Sequence, residues 1–219
     1  QQAIQVMLDP ADCGPACISL SQDVQGEVYE YPEEFFKERI HTIRRPKPDD
    51  FQIKEAAELI KKSKKPIIIA GGGVFYSDAT DELSSFASKH NIPVTQTVMG
   101  YSSIKKDHTH YLGTIGGLGG KAANNLSKET DTAIAIGTKL ADFTTGSWAN
   151  FENPDFKLVS INAARFDANK HMAQAVVGDA KVSLIELSQA LGNWKADDNW
   201  YKKSRVELKN WEAYVEKES

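Results

Sequence analysis

With 219 residues, of which 41% are hydrophobic and 26% charged, the chain has the composition of a soluble globular protein of one ordinary domain plus flanking segments. Its formal charge of −4 disfavours nucleic acid as a partner, because phosphate binding needs clustered Lys and Arg. Its apolar runs fall short of the ~20 residues that a membrane helix needs, and Cys13 and Cys17, alone at C-x3-C spacing, point to reduced thiols in a cytoplasmic protein instead of a disulfide framework or zinc site.

The start, Gln1-Gln2-Ala3-Ile4-Gln5, has neither the basic nor the long apolar region of a signal peptide. Lacking an initiator Met, it reads as an excised piece of a longer protein. Residues 1–12 are expected to end a helix carrying Ala3, Ile4 and Leu8 and stopping at Asp9-Pro10. Gly14-Pro15-Ala16-Cys17-Ile18-Ser19-Leu20 then reads as a buried strand, followed by a polar turn over 21–26. One strand is not a sheet, so this opening looks like the last element of a preceding domain. From 30 to 50, Tyr31-Pro32, Arg45-Pro46 and Lys47-Pro48 punctuate charged sequence and favour extended backbone, as in a linker with a short helix near Glu33–Arg39.

A regular alternation starts at Asp49 or Asp50. Ile53, Ala56, Ala57 and Ile60 follow the spacing of an amphipathic helix. The run Pro66-Ile67-Ile68-Ile69-Ala70 reads as a strand buried on both faces, and Gly71-Gly72-Gly73 ends it. A helix is expected over about 79–90, with Leu83, Phe86 and Ala87 inward, then a strand over 92–97. A long irregular stretch follows, holding Asp107-His108-Thr109-His110 and the glycine cluster 113–120. Next come a helix over about 121–129, strands at 132–136, 157–162 and 175–177, and a helix capped by Asp179 that carries Val182, Ile185 and Leu191. The last element is a helix from about Asp197 with Trp200, Leu208, Trp211 and Val215 near helical spacing. At least five strands alternating with helices predict an α/β fold: a doubly wound, Rossmann-like parallel sheet.

Three places are candidates for ligand contact. Gly71, Gly72 and Gly73 lie between strand and helix, the context of a phosphate-binding turn. They lack the spaced G-x-G-x-x-G, no acid ends the next strand to hold a ribose, and a tight turn alone would also require glycine. Gly117, Gly119 and Gly120 fit G-x-G-x-x-A with Ala122, but after an irregular stretch instead of a strand. A P-loop is excluded, because Ile115 stands where its first glycine is required and Ala122 replaces Ser or Thr; an anion site at the helix start remains open. Thr144 and Thr145 follow a strand end, where ligand loops belong, although capping the sheet or meeting a neighbouring domain is favoured for that loop. One H-x-H without further ligands does not make a zinc site, and no G-x-S-x-G nucleophile is present. No catalytic or metal-ligating residue is assigned.

The order of these pieces resembles the thiamine-diphosphate-dependent enzymes related to acetohydroxyacid synthase. Gly14 to Gln25 is similar to the segment closing that family's pyrimidine-binding domain, with Ser21 where proline is usual. Residues 65–74 match its K-P-x-I-x-A-G-G-G-V strand and turn, and Val176 to Lys181 match its V-x-G-D-A-K segment. The segments 29–36, 43–46, 137–148 (holding Asp-Phe-Thr-Thr-Gly-Ser-Trp) and 166–171 resemble the branch of hydrolases acting in myo-inositol breakdown.

The resemblance implies a parent enzyme that cleaves a carbocyclic dione with thiamine diphosphate and Mg²⁺, in dimers or tetramers of three-domain subunits. It divides this chain into the end of a pyrimidine-binding domain (1–30), a linker (31–49), a central domain (50–192), and a linker and helix leading to a diphosphate-binding domain (193–219). The family's activating Glu would lie before Gln1 and its G-D-G…N motif after Ser219. This piece alone is therefore expected to hold no cofactor and to be inactive, its partners being the flanking domains. Some relatives bind FAD or ADP on the central domain, whereas this branch is expected to work without flavin. Two other readings stay open: an autonomous FAD-, NAD- or ADP-binding module, and loops 115–120 and 142–148 lining the entrance to the parent's active site. A further alternative is the central domain of another enzyme of the same family.

Overall fold

The computed structural model describes residues 1–218. The chain forms two compact units, Gln1–Arg44 and a second beginning at Arg45. In the first, α1 (Gln2–Met7) ends before Asp9, whose carboxylate accepts from the Ala11 and Asp12 amides and pairs with Arg44 at 2.7 Å. The strand expected at 14–20 does not form, and Ile18 and Leu20 are both 70% exposed. A strand exists only through its ladder partner, and among the described residues none pairs with this segment. The helix expected near 33–39 shortens to one 3₁₀ turn, Glu33–Phe36.

The second unit is built on β1 (Pro66–Ala70), which lies inside a six-stranded, all-parallel sheet. With β2 (Val94–Gln96), β3 (Tyr111–Thr114), β4 (Thr132–Ile136), β5 (Lys157–Asn162) and β6 (Gln174–Val177), the order is β3-β2-β1-β4-β5-β6. This is the doubly wound topology expected, with one strand more than was legible. β3 falls in the supposedly irregular stretch. It is short, carries Gly113 at φ +104°, and its pairing with β2 slips between Val94 and Thr95. Its periodicity is thus too brief to stand out, and pairing to β2 creates it.

Alternation along the strands separates two cores. On one face Ile68, Ala70, Ile134, Ile136, Val159 and Ile161 pack under α2 (Asp50–Lys61), α4 (Thr80–His90) and α8 (Ala180–Leu191). On the other, Ile67, Ile69, Ala133 and Ala135 face α5 (Lys121–Glu129) and α9 (Asp198–Glu218). The two alanines of β4 leave room that a bulky side chain must fill in a close-packed interior. Trp200 is buried in the same core, with its Nε1 donating to the Pro66 carbonyl at 2.8 Å. The final helix packs on this sheet, antiparallel to α5, as the Lys203–Glu129 and Asn125–Glu207 bonds and, further along, the Trp211–Gly120 contact require.

Within α8 the buried side is Ala180, Leu184, Leu187 and Leu191, whereas Ile185, expected inward, is exposed one position round the helix. The unit also takes in the residues just before α2. The Asp179 amide donates to the Pro46 carbonyl at 2.8 Å. Arg45 reaches the Asp179 carboxylate at 3.1 Å and donates to the Ser77 carbonyl.

Candidate functional site at the carboxyl edge of the sheet

In open parallel sheets ligands sit beyond the carboxyl ends of the strands, above all where the strand order reverses. Here that point lies between β1 and β4. The first glycine turn does not stop the chain in a loop: α3 (Gly72–Tyr76) starts at once, with Gly71 as its N-cap. The Gly71 and Gly73 N–H groups are engaged by the chain itself. Gly71 donates to Ile136 O at 2.8 Å and Gly73 to Gly137 O at 2.9 Å. A Cβ on Gly73 would lie 2.5 Å from Gly137 Cα, so these two backbones approach as closely as glycine permits. On the opposite side Gly72 faces the Met99 carbonyl, which a Cβ would approach to 3.1 Å. Backbone therefore closes in on this turn from both sides.

The second glycine cluster does follow a strand, β3, which the sequence had hidden. Its donors are engaged too. Gly116 N–H donates to Asn124 Oδ1 at 2.9 Å, Gly117 to Phe143 O at 2.8 Å, Gly119 to Gly116 O at 2.9 Å and Gly120 to Thr114 O at 2.9 Å. Gly116 has φ +101°, and a Cβ there would sit 2.0 Å from Phe143 O. Asn124, one turn into α5, also donates to Gly116 O at 3.0 Å. It holds the loop from both sides, and no motif in the sequence marked it. The start of α5 is covered as well: Trp211 lies against Gly120, and the Lys121 ammonium sits 4.1 Å from the Tyr214 ring centre.

The third candidate loop begins with a single helical turn, α6 (Asp142–Thr145), closed by Gly146 at φ +58°. Thr145 is fully buried and its Oγ1 accepts from Trp148 N–H at 3.3 Å, while Thr144 is half-buried beside it. Through the Gly117–Phe143 bond the structure brings the 115–120 and 142–148 loops together. Gly71–Gly73 lies apart from them, joined instead to Gly137 and to the turn after β2.

The H-x-H pair lies at the other edge. His108 Nε2 is 3.2 Å from Ser88 Oγ and His110 Nε2 is 3.2 Å from Asn91 Oδ1. Burial, with the nearby His108 and Arg205 charges, holds His110 down at about 4. His90 is depressed chiefly by burial as well; its Nδ1 donates to Trp194 O at 2.8 Å. Among the described residues, no three His, Cys, Asp or Glu side chains converge to hold a metal ion, and no helix is long and apolar enough to cross a membrane. Cys13 and Cys17 are free and exposed. With the Gly71, Gly73, Gly116, Gly117, Gly119 and Gly120 N–H groups already donating within the chain and no convergent carboxylates, the donor set fits neither a diphosphate nor its Mg²⁺.

Comparison with known proteins agrees with the fold. The family model described as thiamine pyrophosphate enzyme, central domain, matches residues 53–187. A 3D-(3,5/4)-trihydroxycyclohexane-1,2-dione hydrolase of Clostridium perfringens is 47% identical over 189 residues, covering 86% of this chain and 30% of that protein. A protein of the same name from Clostridium botulinum (49% identical, 86% and 29% covered) and the 3D-(3,5/4)-trihydroxycyclohexane-1,2-dione hydrolase 1 of Bacillus cereus (45%, 87% and 30%) are also similar. The chain thus spans about 30% of the length of the curated relatives it matches.

Proposed function

The chain belongs to the thiamine pyrophosphate enzyme family, as a central domain, and we propose that it is the central scaffold of a hydrolase that opens trihydroxycyclohexane-1,2-dione to 5-deoxyglucuronate. The observation that carries this reading is the 47% identity, over most of the chain, to a relative bearing that name. In this proposal the parent is a cytoplasmic homo-oligomer that uses thiamine diphosphate and Mg²⁺. The cofactor supplies the carbanion chemistry of C–C cleavage. This chain supplies no ligand to either, since its glycine turns donate to its own carbonyls. Its part is to hold the flanking domains, with the paired 115–120 and 142–148 loops closing its carboxyl edge.

The same geometry argues against an autonomous FAD, NAD or ADP module, which would need free N–H donors at Gly71–Gly73 or Gly117–Gly120. The test compares the full-length parent with the 219-residue chain. The parent should convert the dione only with thiamine diphosphate and Mg²⁺, and the chain alone should give no product and no calorimetric binding of thiamine diphosphate or ADP. Turnover by the chain alone, or a parent inert towards the dione, would overturn the proposal.

A further inference from the structure

The carboxyl edge is apolar to an unusual degree. Tyr76 after β1, Met99 and Tyr101 after β2, Leu118 after β3, Phe143 after β4 and Phe166 after β5 are all between 69% and 80% exposed. The strand order β3-β2-β1-β4-β5 sets these ends side by side at ~4.8 Å per strand. The Met99 carbonyl against Gly72 and the Gly117–Phe143 bond tie neighbouring loops together. Six such side chains present on the order of 800 Å². The largest apolar patch on an ordinary monomer is about 300–600 Å², whereas one side of a stable interface needs about 800 Å². The opposite edge, by contrast, carries Lys64, Lys65, Asp131, Asp155 and Lys157 at the strand starts.

α9 determines what can reach this patch. It starts low, where Trp200 meets Pro66, and climbs antiparallel to α5 until Trp211 meets Gly120 and Tyr214 meets Lys121. At 1.5 Å per residue its last turn runs on past the start of α5, at the carboxyl side of β3. Whatever follows α9 therefore enters at the apolar edge.

We propose that this edge is the docking surface for the domain that follows α9, which folds back over the strand ends and buries the six side chains. The inference rests on the reading above that the parent continues into such a domain, as the coverage of only about 30% of the relatives supports.

The test uses Met99→Cys and Phe143→Cys, with Asp155→Cys at the opposite edge as control, each with Cys13 and Cys17 replaced by Ser. In the 219-residue chain the edge thiols should react with maleimide as fast as the control. In the full-length parent they should slow roughly 100-fold, as a site does that opens only by rare local separation, while the control stays within a few-fold. A photo-crosslinker on Met99→Cys in the parent should then capture a peptide from beyond Ser219. Equal labelling in both proteins overturns the proposal. So does capture of a peptide from before Gln1. So does protection in the short chain accompanied by a dimer mass in sedimentation, which would make the occupant a second copy. Failure of the hydrolase reading appears separately, as absence of product from the parent.

Discussion

Trp200→Ala is the sharpest probe of how this domain is built. The indole belongs to the core that includes the β4 alanines, is 4% exposed, and donates to the Pro66 carbonyl at 2.8 Å. Emptying such a site typically costs about 3–5 kcal/mol in lost transfer energy and cavity. Within that loss, about 1 kcal/mol belongs to the hydrogen bond left without its donor. For a unit of this size each kcal/mol lowers the melting temperature by about 2–4 °C, so a drop of roughly 6–20 °C is expected. Trp200→Phe keeps most of the ring volume and should lose about half as much. Urea unfolding followed by far-UV circular dichroism measures both without relying on indole fluorescence, with exposed Tyr76→Ala as a control that moves stability by no more than about 0.5 kcal/mol. If Trp200→Ala unfolds at the wild-type midpoint, α9 is not part of this core, and the account of the alanine-lined face fails with it.

Two further outcomes follow from the geometry. His90, His108 and His110 are all depressed in the folded chain, chiefly by burial. The unfolded chain therefore takes up protons first, from its ordinary value near 6.5. Stability is fully present above that pH and falls as pH drops towards about 4, where His110 protonates in the folded state as well. His110 alone should account for about 3 kcal/mol of that loss, and His110→Asn should flatten the pH profile of urea midpoints; an unchanged profile would refute its role. Gly116→Ala puts a Cβ onto the Phe143 carbonyl at φ +101° and should cost about 2–4 kcal/mol. Gly113→Ala, at φ +104° but facing open space, should cost only about 1 kcal/mol, so equal melting temperatures for the two variants would contradict the close approach of the two loops.

Where a stretch carries its own period, sequence and structure agree closely. Ile53, Ala56, Ala57 and Ile60 are the buried face of α2, and the expected bounds of β1, β4, β5 and α5 are those observed. Asp179 caps α8 as expected, its carboxylate accepting from the Lys181 and Val182 amides. The failures lie where the partner is remote in sequence. The segment 14–20 looked like a strand because it is apolar, yet no ladder partner lies beside it. β3 did not look like one because it is four residues long with a glycine inside, yet β2 pairs with it. The single turns α3 and α6 are too short to form by propensity, since helix nucleation is unfavourable; they persist because Gly73 N–H donates to Gly137 O and Gly117 N–H to Phe143 O.

The candidate site divides in the same way. Residue types alone placed Gly71–Gly73, Gly117–Gly120 and Thr144–Thr145 after secondary-structure elements, where binding loops occur. Whether their N–H groups remained free was not wholly a local property, because the acceptors of Gly71, Gly73 and Gly117 belong to another strand end and that of Gly116 to Asn124. The sequence by itself determined the sheet-and-helix alternation, the apolar centre at β1 and the family, since all three are written in short-range patterns. Only the tertiary structure decided that both glycine turns are filled by the chain's own backbone and that α9 lies on the sheet with an apolar edge beside its end. Those outcomes depend on close approaches between segments tens of residues apart, which no short-range pattern encodes.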